Sequence, residues 1–153
     1  MRAVIQLAYR LRRAVHGALK IRTTGVKILL FNHAREVLLI RNSYGNSGQF
    51  LLPGGGVGRG EHPADAAVRE VQEELGMIAE QVEHVWTYQS TGEGKRDTIH
   101  LFRAFAFGPI RIDGLEVVEA RFFALDSLPE NVSPATLRRL GEVNGERTYD
   151  GRW

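Results

Sequence analysis

Cysteine is absent from all 153 residues. Its absence excludes disulfides, thiol nucleophiles and thiolate zinc sites, so any metal must be held by oxygen or imidazole. Long apolar runs are missing too: no stretch approaches the roughly 20 residues of a membrane span, and the chain is expected to be soluble and cytoplasmic. Acidic residues are missing before Glu36, whereas residues 1–35 carry Arg2, Arg10, Arg12, Arg13, Lys20, Arg22, Lys27 and Arg35. Arg10, Arg12 and Arg13 interrupt the place where the apolar core of a secretory signal would lie; an arginine-rich, acid-free amphipathic start also resembles an organellar transit peptide, the lesser alternative to a cytoplasmic protein. Internal repeats, low-complexity segments and linkers are likewise absent, which leaves a second domain without support.

What is present is ordinary for a folded domain: 43% hydrophobic residues, 25% charged residues and a net charge of +2. A chain of this length buries about 70% of its unfolded surface around one core, so one site is expected. Val4, Ala8, Leu11, Val15 and Leu19 recur at helical spacing and predict an amphipathic helix over residues 2–19. That helix packs on the domain or a second subunit, giving a homodimer, or meets a membrane surface or nucleic acid. The expected organisation is a basic N-terminal helix over 1–22, a domain over 23–142 and a surface tail over 143–153.

From Thr24 the period changes. "GVKILLF" (25–31) and "EVLLIRN" (36–42) are rich in β-branched and leucine side chains around a short polar turn, and predict a hairpin. "GQFLLP" (48–53) predicts a third strand that stops at proline. Strands are also expected over 83–90, 98–107 and 119–125, and a helix opening at Ser133 and Pro134 through about Leu140. The order, three strands, a helix, three strands and a helix, predicts an α/β fold with a mixed sheet between helices.

The central helix is expected over 63–75, with His62 as cap, Pro63 at the first turn and Gly76 as the stop. At 100° per residue, Glu70, Glu73 and Glu74 fall within an arc of roughly 100°. They share one face, expected to point outward. Ala64, Ala67, Val68, Val71 and Leu75 are expected to bury against the sheet, with Ala66 leaving room beside the acids. Three neighbouring carboxylates near a helix C-terminus repel one another and oppose the helix dipole. A divalent cation relieves both, and all-oxygen ligation favours magnesium or manganese over zinc. A solvated face with an Arg69–Glu73 pair is the competing structural account. The loop before the helix argues against it, because Gly54, Gly55, Gly56, Gly58 and Gly60 permit the close backbone approach that a diphosphate or a metal-bound carbonyl requires.

Gly55, five residues, Glu61, seven residues, then Arg69, Glu70, Val71, Gln72, Glu73, Glu74, Leu75, Gly76 and Met77 matches the Nudix box at every defined position. The sequence therefore resembles a Nudix hydrolase over about residues 24–130, with "QFLLPGGGV" and "EVVEARFFALDSLPE" similar to the segments flanking the box. The resemblance implies an α/β/α sandwich around a mixed sheet and cleavage of a nucleoside diphosphate linked to another moiety, with Mg2+ or Mn2+. It implies that Glu70, Glu73 and Glu74 hold the metal with the Gly54 carbonyl, that Gly55 and Gly56 face the diphosphate, and that Glu61 and Arg69 hold loop and helix in shape. A general base is sought among Glu73, Glu116 and Glu119, ahead of His62, His84 and His100. Arg41, Phe50, Trp86, Tyr88 and Arg96 are candidates for substrate contact. RNA 5′ ends, tracked by the basic arm, are an alternative substrate; a non-catalytic Nudix-like nucleotide-binding regulator is the alternative from another class.

Overall fold

The apolar runs that predicted the hairpin are unbroken because both faces of the central strands are buried. In the computed structural model, which describes residues 23–45, 47–90, 97–112 and 114–153, β1 is Thr23–Phe31 and β2 is Val37–Asn42. Val26, Ile28, Leu30, Leu38 and Ile40 enter one core, while Leu29, Val37 and Leu39 enter a second on the opposite face. Asn32 closes the turn between the strands, its Oδ1 accepting from Glu36 N at 3.0 Å.

Helix α1 (Pro63–Leu75) follows, then β3 (Ile78–Ser90), β4 (Asp97–Phe107), β5 (Val117–Phe123) and helix α2 (Pro134–Val143). The sheet order is β3-β4-β1-β2-β5, with β1 parallel to β4 and the other pairs antiparallel. Ala66, Ala67, Val71 and Leu75 of α1 pack into the first core, and Leu140 of α2 into the second. The result is the expected α/β/α sandwich around a mixed sheet. The caps are also as expected. His62 Nδ1 accepts from Ala64 N at 3.2 Å, Gly76 is left-handed (φ 62°), and Ser133 Oγ accepts from Thr136 N at 3.2 Å.

Three expectations need correction. Residues 48–53 are not a continuous third strand. Leu51 exchanges bonds with Ile40 of β2 (2.9 and 2.8 Å), after which Pro53 O and Gly55 O accept from Ile28 N and Val26 N of β1 (3.0 and 2.9 Å). The segment changes partner at Pro53, which has no N–H to give, so no regular ladder forms. On α1, Val68 is 41% exposed and Ala66 fully buried, the reverse of the expectation. The buried arc is rotated toward the glutamates. The C-terminal tail is not simply surface chain: Tyr149 stacks on Trp86 with centroids 4.8 Å apart, and Trp153 packs edge-on to Tyr88. Its aromatics, separated by three residues, carried no periodic signal. The helix expected over 2–19 and the candidate Arg96 lie outside the described residues.

Candidate active site

The rotation of α1 sorts its three acids. Glu70 and Glu74 stand between Ala66 and Ala67 on the helical wheel, and so at the edge of the buried arc. The Glu70 side chain is only 13% exposed, against 59% for Glu73. The expectation of three outward carboxylates therefore holds for Glu73 alone.

The glycine loop is fitted against this edge. A Cβ at Gly54 would lie 2.2 Å from Val26 O, and its φ of 139° is open essentially to glycine. A Cβ at Gly55 would lie 2.5 Å from the Glu70 carboxylate. Glycine at both positions lets the loop run between β1 and the acidic helix. Gly54 N then donates to Glu74 Oε2 at 2.9 Å.

Arg69 ties the rest together. Its Nε and Nη2 donate to both Glu61 oxygens (2.8 and 3.0 Å), its Nη1 to Glu70 Oε1 and Glu73 Oε2 (2.8 and 3.0 Å), and its Nη2 also to Gly56 O at 2.8 Å. Glu61 accepts in addition from Gly58 N at 2.7 Å. The Arg69 bonds, with the Gly58 N–H, hold the Glu61 carboxyl down at about 2, while Arg69 is itself held firmly protonated. One side chain thus joins the loop, the helix and three of the four box glutamates.

The remaining charges are less well compensated. Burial raises Glu74 to about 7, against the opposing pull of Lys27 and the Gly54 N–H, and burial likewise raises Glu70 despite Arg69. Lys27, whose Nζ donates to Leu52 O at 2.9 Å, is pushed down by burial and up by Glu74 and Glu70. Sequence reasoning assigned Lys27 only to the basic arm. Its signal was there: a lysine on an otherwise apolar strand has to answer a buried negative charge. A cleft of about 780 Å³ adjoins the loop, and Lys27, Gly55, Gly56, Glu61, Thr23 and Asp97 are among the residues that line it. Among the described residues, no three acidic or histidine side chains converge closely enough to hold one ion.

The other candidates are dispersed. Arg41 pairs with Glu119 at 2.7 Å, and Arg121 approaches the same carboxylate at 3.7 Å. Phe50 is buried against Phe123 in the second core, and neither Arg41 nor Phe50 lines the cleft. Glu116 acts on the Glu74 carboxyl through its charge, and its own backbone oxygen accepts from Ser43 N at 2.8 Å. His62 is a helix cap; His84 Nε2 and His100 Nδ1 both meet Thr87 Oγ1 at 2.9 Å. Trp86 and Tyr88 are engaged by the tail.

A sheet sandwiched by helices, with a glycine loop clamped onto an acidic helix, defines a class, and comparison with known proteins places the chain in it. The NUDIX domain model matches residues 21–152. An uncharacterised Nudix hydrolase of Pseudomonas aeruginosa is 35% identical over 64% of this chain and 60% of its own length. A Bacillus subtilis protein provisionally named an 8-oxo-dGTP diphosphatase is 29% identical over 78% of both chains. The ADP-ribose pyrophosphatase of Methanocaldococcus jannaschii is 35% identical over 62% of this chain and 58% of its own. The chain thus spans less than two thirds of the Pseudomonas and Methanocaldococcus relatives. Among solved structures, the MutT NUDIX hydrolase of Burkholderia pseudomallei superposes with a TM-score of 0.71 at 26% identity, covering 80% of this chain and 98% of that one. The chain belongs to the Nudix family.

Proposed function

We propose that this protein is a divalent-metal-dependent pyrophosphohydrolase that cleaves the diphosphate linkage of a nucleoside diphosphate joined to another moiety. The observation that carries the reading is the seating of Glu70 and Glu74, half-buried and incompletely compensated, against a loop that only glycine can form at Gly54. Buried carboxylates raised toward neutrality are groups that an added positive charge stabilises. Their donor set is all oxygen, which suits magnesium or manganese. Glu70, Glu73 and Glu74, with the Gly54 carbonyl, are the groups that would hold such a cation, which when bound supplies charge neutralisation and Lewis-acid activation of water. Because Glu70 and Glu73 are now shared with Arg69, loading requires them to yield part of that pairing.

The chain's own groups do the remaining work. Arg69 and Glu61 fix the loop backbone against the helix, so its orientation is set before substrate arrives. Lys27 adds a cation beside the site, where a diphosphate needs one. Glu73 is the exposed carboxylate of the three and is the leading candidate to take the proton from an attacking water. Glu119 is less available, because Arg41 and Arg121 engage its carboxylate. The names of the Bacillus and Methanocaldococcus relatives, a diphosphatase and a pyrophosphatase, support the same bond class.

The test is a nucleotide panel with magnesium or manganese and identified products. A nucleoside monophosphate product and loss of turnover on chelation are expected. No cleavage across the panel sinks the reading.

A further inference from the structure

The cleft beside the glycine loop has two chemically different ends. Lys27 and Gly55 lie against Glu70 and Glu74 of the acidic helix, whereas Thr23 and its register partner Asp97 line the cleft four residues back along β1. On β1, Lys27 and Thr23 are four residues apart, a span of roughly 13 Å at about 3.3 Å per residue. That is the scale of a nucleotide measured from its phosphates to the far edge of its base. Asp97 is the parallel-register partner of Thr23, and the Thr23 hydroxyl donates to Asp97 Oδ1. This bond fixes the rotation of a half-buried carboxylate, and among the described residues no hydrogen bond engages Oδ2. The described lining contains no aromatic ring, so Ile99, Val57 and Pro63 offer flat apolar contact but no stacking platform. Among the described residues, Asp97 supplies a carboxylate acceptor at this end.

We propose that Asp97 is a specificity residue that accepts a hydrogen bond from the nucleoside end of the substrate, either from an exocyclic amine of the base or from a ribose hydroxyl. The inference rests on the diphosphate-hydrolase reading for the direction in which the ligand lies. A carboxylate held by Thr23 and facing a cleft discriminates because a ligand without the donor leaves it desolvated and unpaired, at a cost of about tenfold or more in affinity.

Calorimetric binding of ADP, inosine diphosphate and 2′-deoxy-ADP tests it without requiring turnover. ADP should bind about tenfold more tightly than inosine diphosphate if the amine is read, or than 2′-deoxy-ADP if the hydroxyl is read. Asp97→Asn, which keeps the shape and an oxygen for Thr23, should bring the three affinities within about twofold of each other. Thr23→Val should narrow the ratio while leaving Asp97 in place, and it serves as the second variant if Asp97→Asn does not fold. Equal binding of all three by the wild type, binding of none, or an unchanged ratio in the folded variants overturns the proposal. Discrimination in binding without any cleavage would instead overturn the hydrolase reading and leave Asp97 as the acceptor.

Discussion

Each face of the sheet carries an arginine–glutamate system, and only the one under α2 is buried. Under α2, Arg139 is 1% exposed; its Nε and Nη2 lie 2.9 Å from the two Glu142 oxygens and its Nη1 donates to Arg152 O at 2.9 Å. The Tyr88 and Trp153 rings lie against its guanidinium, 4.0 and 5.1 Å from their centroids, and the Tyr88 hydroxyl donates to Glu142 at 2.6 Å. One cation and one carboxylate close on each other. Beside α1, Arg69 is divided among three carboxylates and a carbonyl, while Glu74 rests on Lys27 and a backbone N–H. Closed pairs hold a fold; an under-compensated group is where a charged ligand is expected.

The sharpest way to break this comparison is on the acidic side. Glu73→Gln and Glu74→Gln should each lower turnover at saturating magnesium by about a thousandfold, roughly 4 kcal/mol of transition-state stabilisation, with far-ultraviolet circular dichroism unchanged. Near-wild-type turnover in either variant removes that residue from the mechanism. On the other face, Arg139→Ala should destabilise by about 3 kcal/mol or more in urea titration, because Glu142 is left buried and unpaired. Turnover per folded molecule should stay within a few-fold; a large loss would mean that the two faces are coupled.

The Glu74 carboxyl sharpens the contrast through pH. Its folded value, about 7, lies above the ordinary value of 4.5, so the folded state takes up a proton between these limits that the unfolded chain does not. Stability of the metal-free protein should therefore fall as pH rises from about 4.5 to 7, by at most about 3 kcal/mol from this group. Glu74→Gln should flatten that part of the profile, measured by denaturation at pH 5 and 8. A slope unchanged by the substitution would assign it to another group. The smallest effect separates the loop's glycines: Gly55→Ala should cost about tenfold in turnover by displacing the Glu70 carboxylate. Gly56→Ala, where an added Cβ meets nothing within 4 Å, should be silent. Equal effects would show that flexibility rather than space is what glycine provides here.

Much of this was legible in the chain. Pro63, His62 and Gly76 located α1 by local chemistry alone, since caps are satisfied within a few residues. The spacing from Gly55 to Met77 named the candidate residues of the site, because a short loop and one helix carry them. The partner change at Pro53 was hidden, as was the rotation that buries Ala66 and lifts Val68, because both depend on how α1 and the loop seat on β1. The packing of Tyr149 and Trp153 on β3 was equally invisible, since nothing periodic marks a tail that is held by tertiary contacts.

The sequence by itself determined the composition of the candidate site: three glutamates on one helix, an arginine and a glutamate fixed around them, and glycines where backbone must pass close. These are matters of covalent spacing and helical geometry, which need no knowledge of what packs beside them. Only the tertiary structure decided how the charges differ. It left Glu73 in water, lifted Glu70 and Glu74 toward neutrality, and brought Lys27 and Asp97, distant in sequence, to the lining of one cleft. The reason is that the energy of a charge is set by its burial and neighbours, and these are fixed when the sheet, the loop and the helix close on one another.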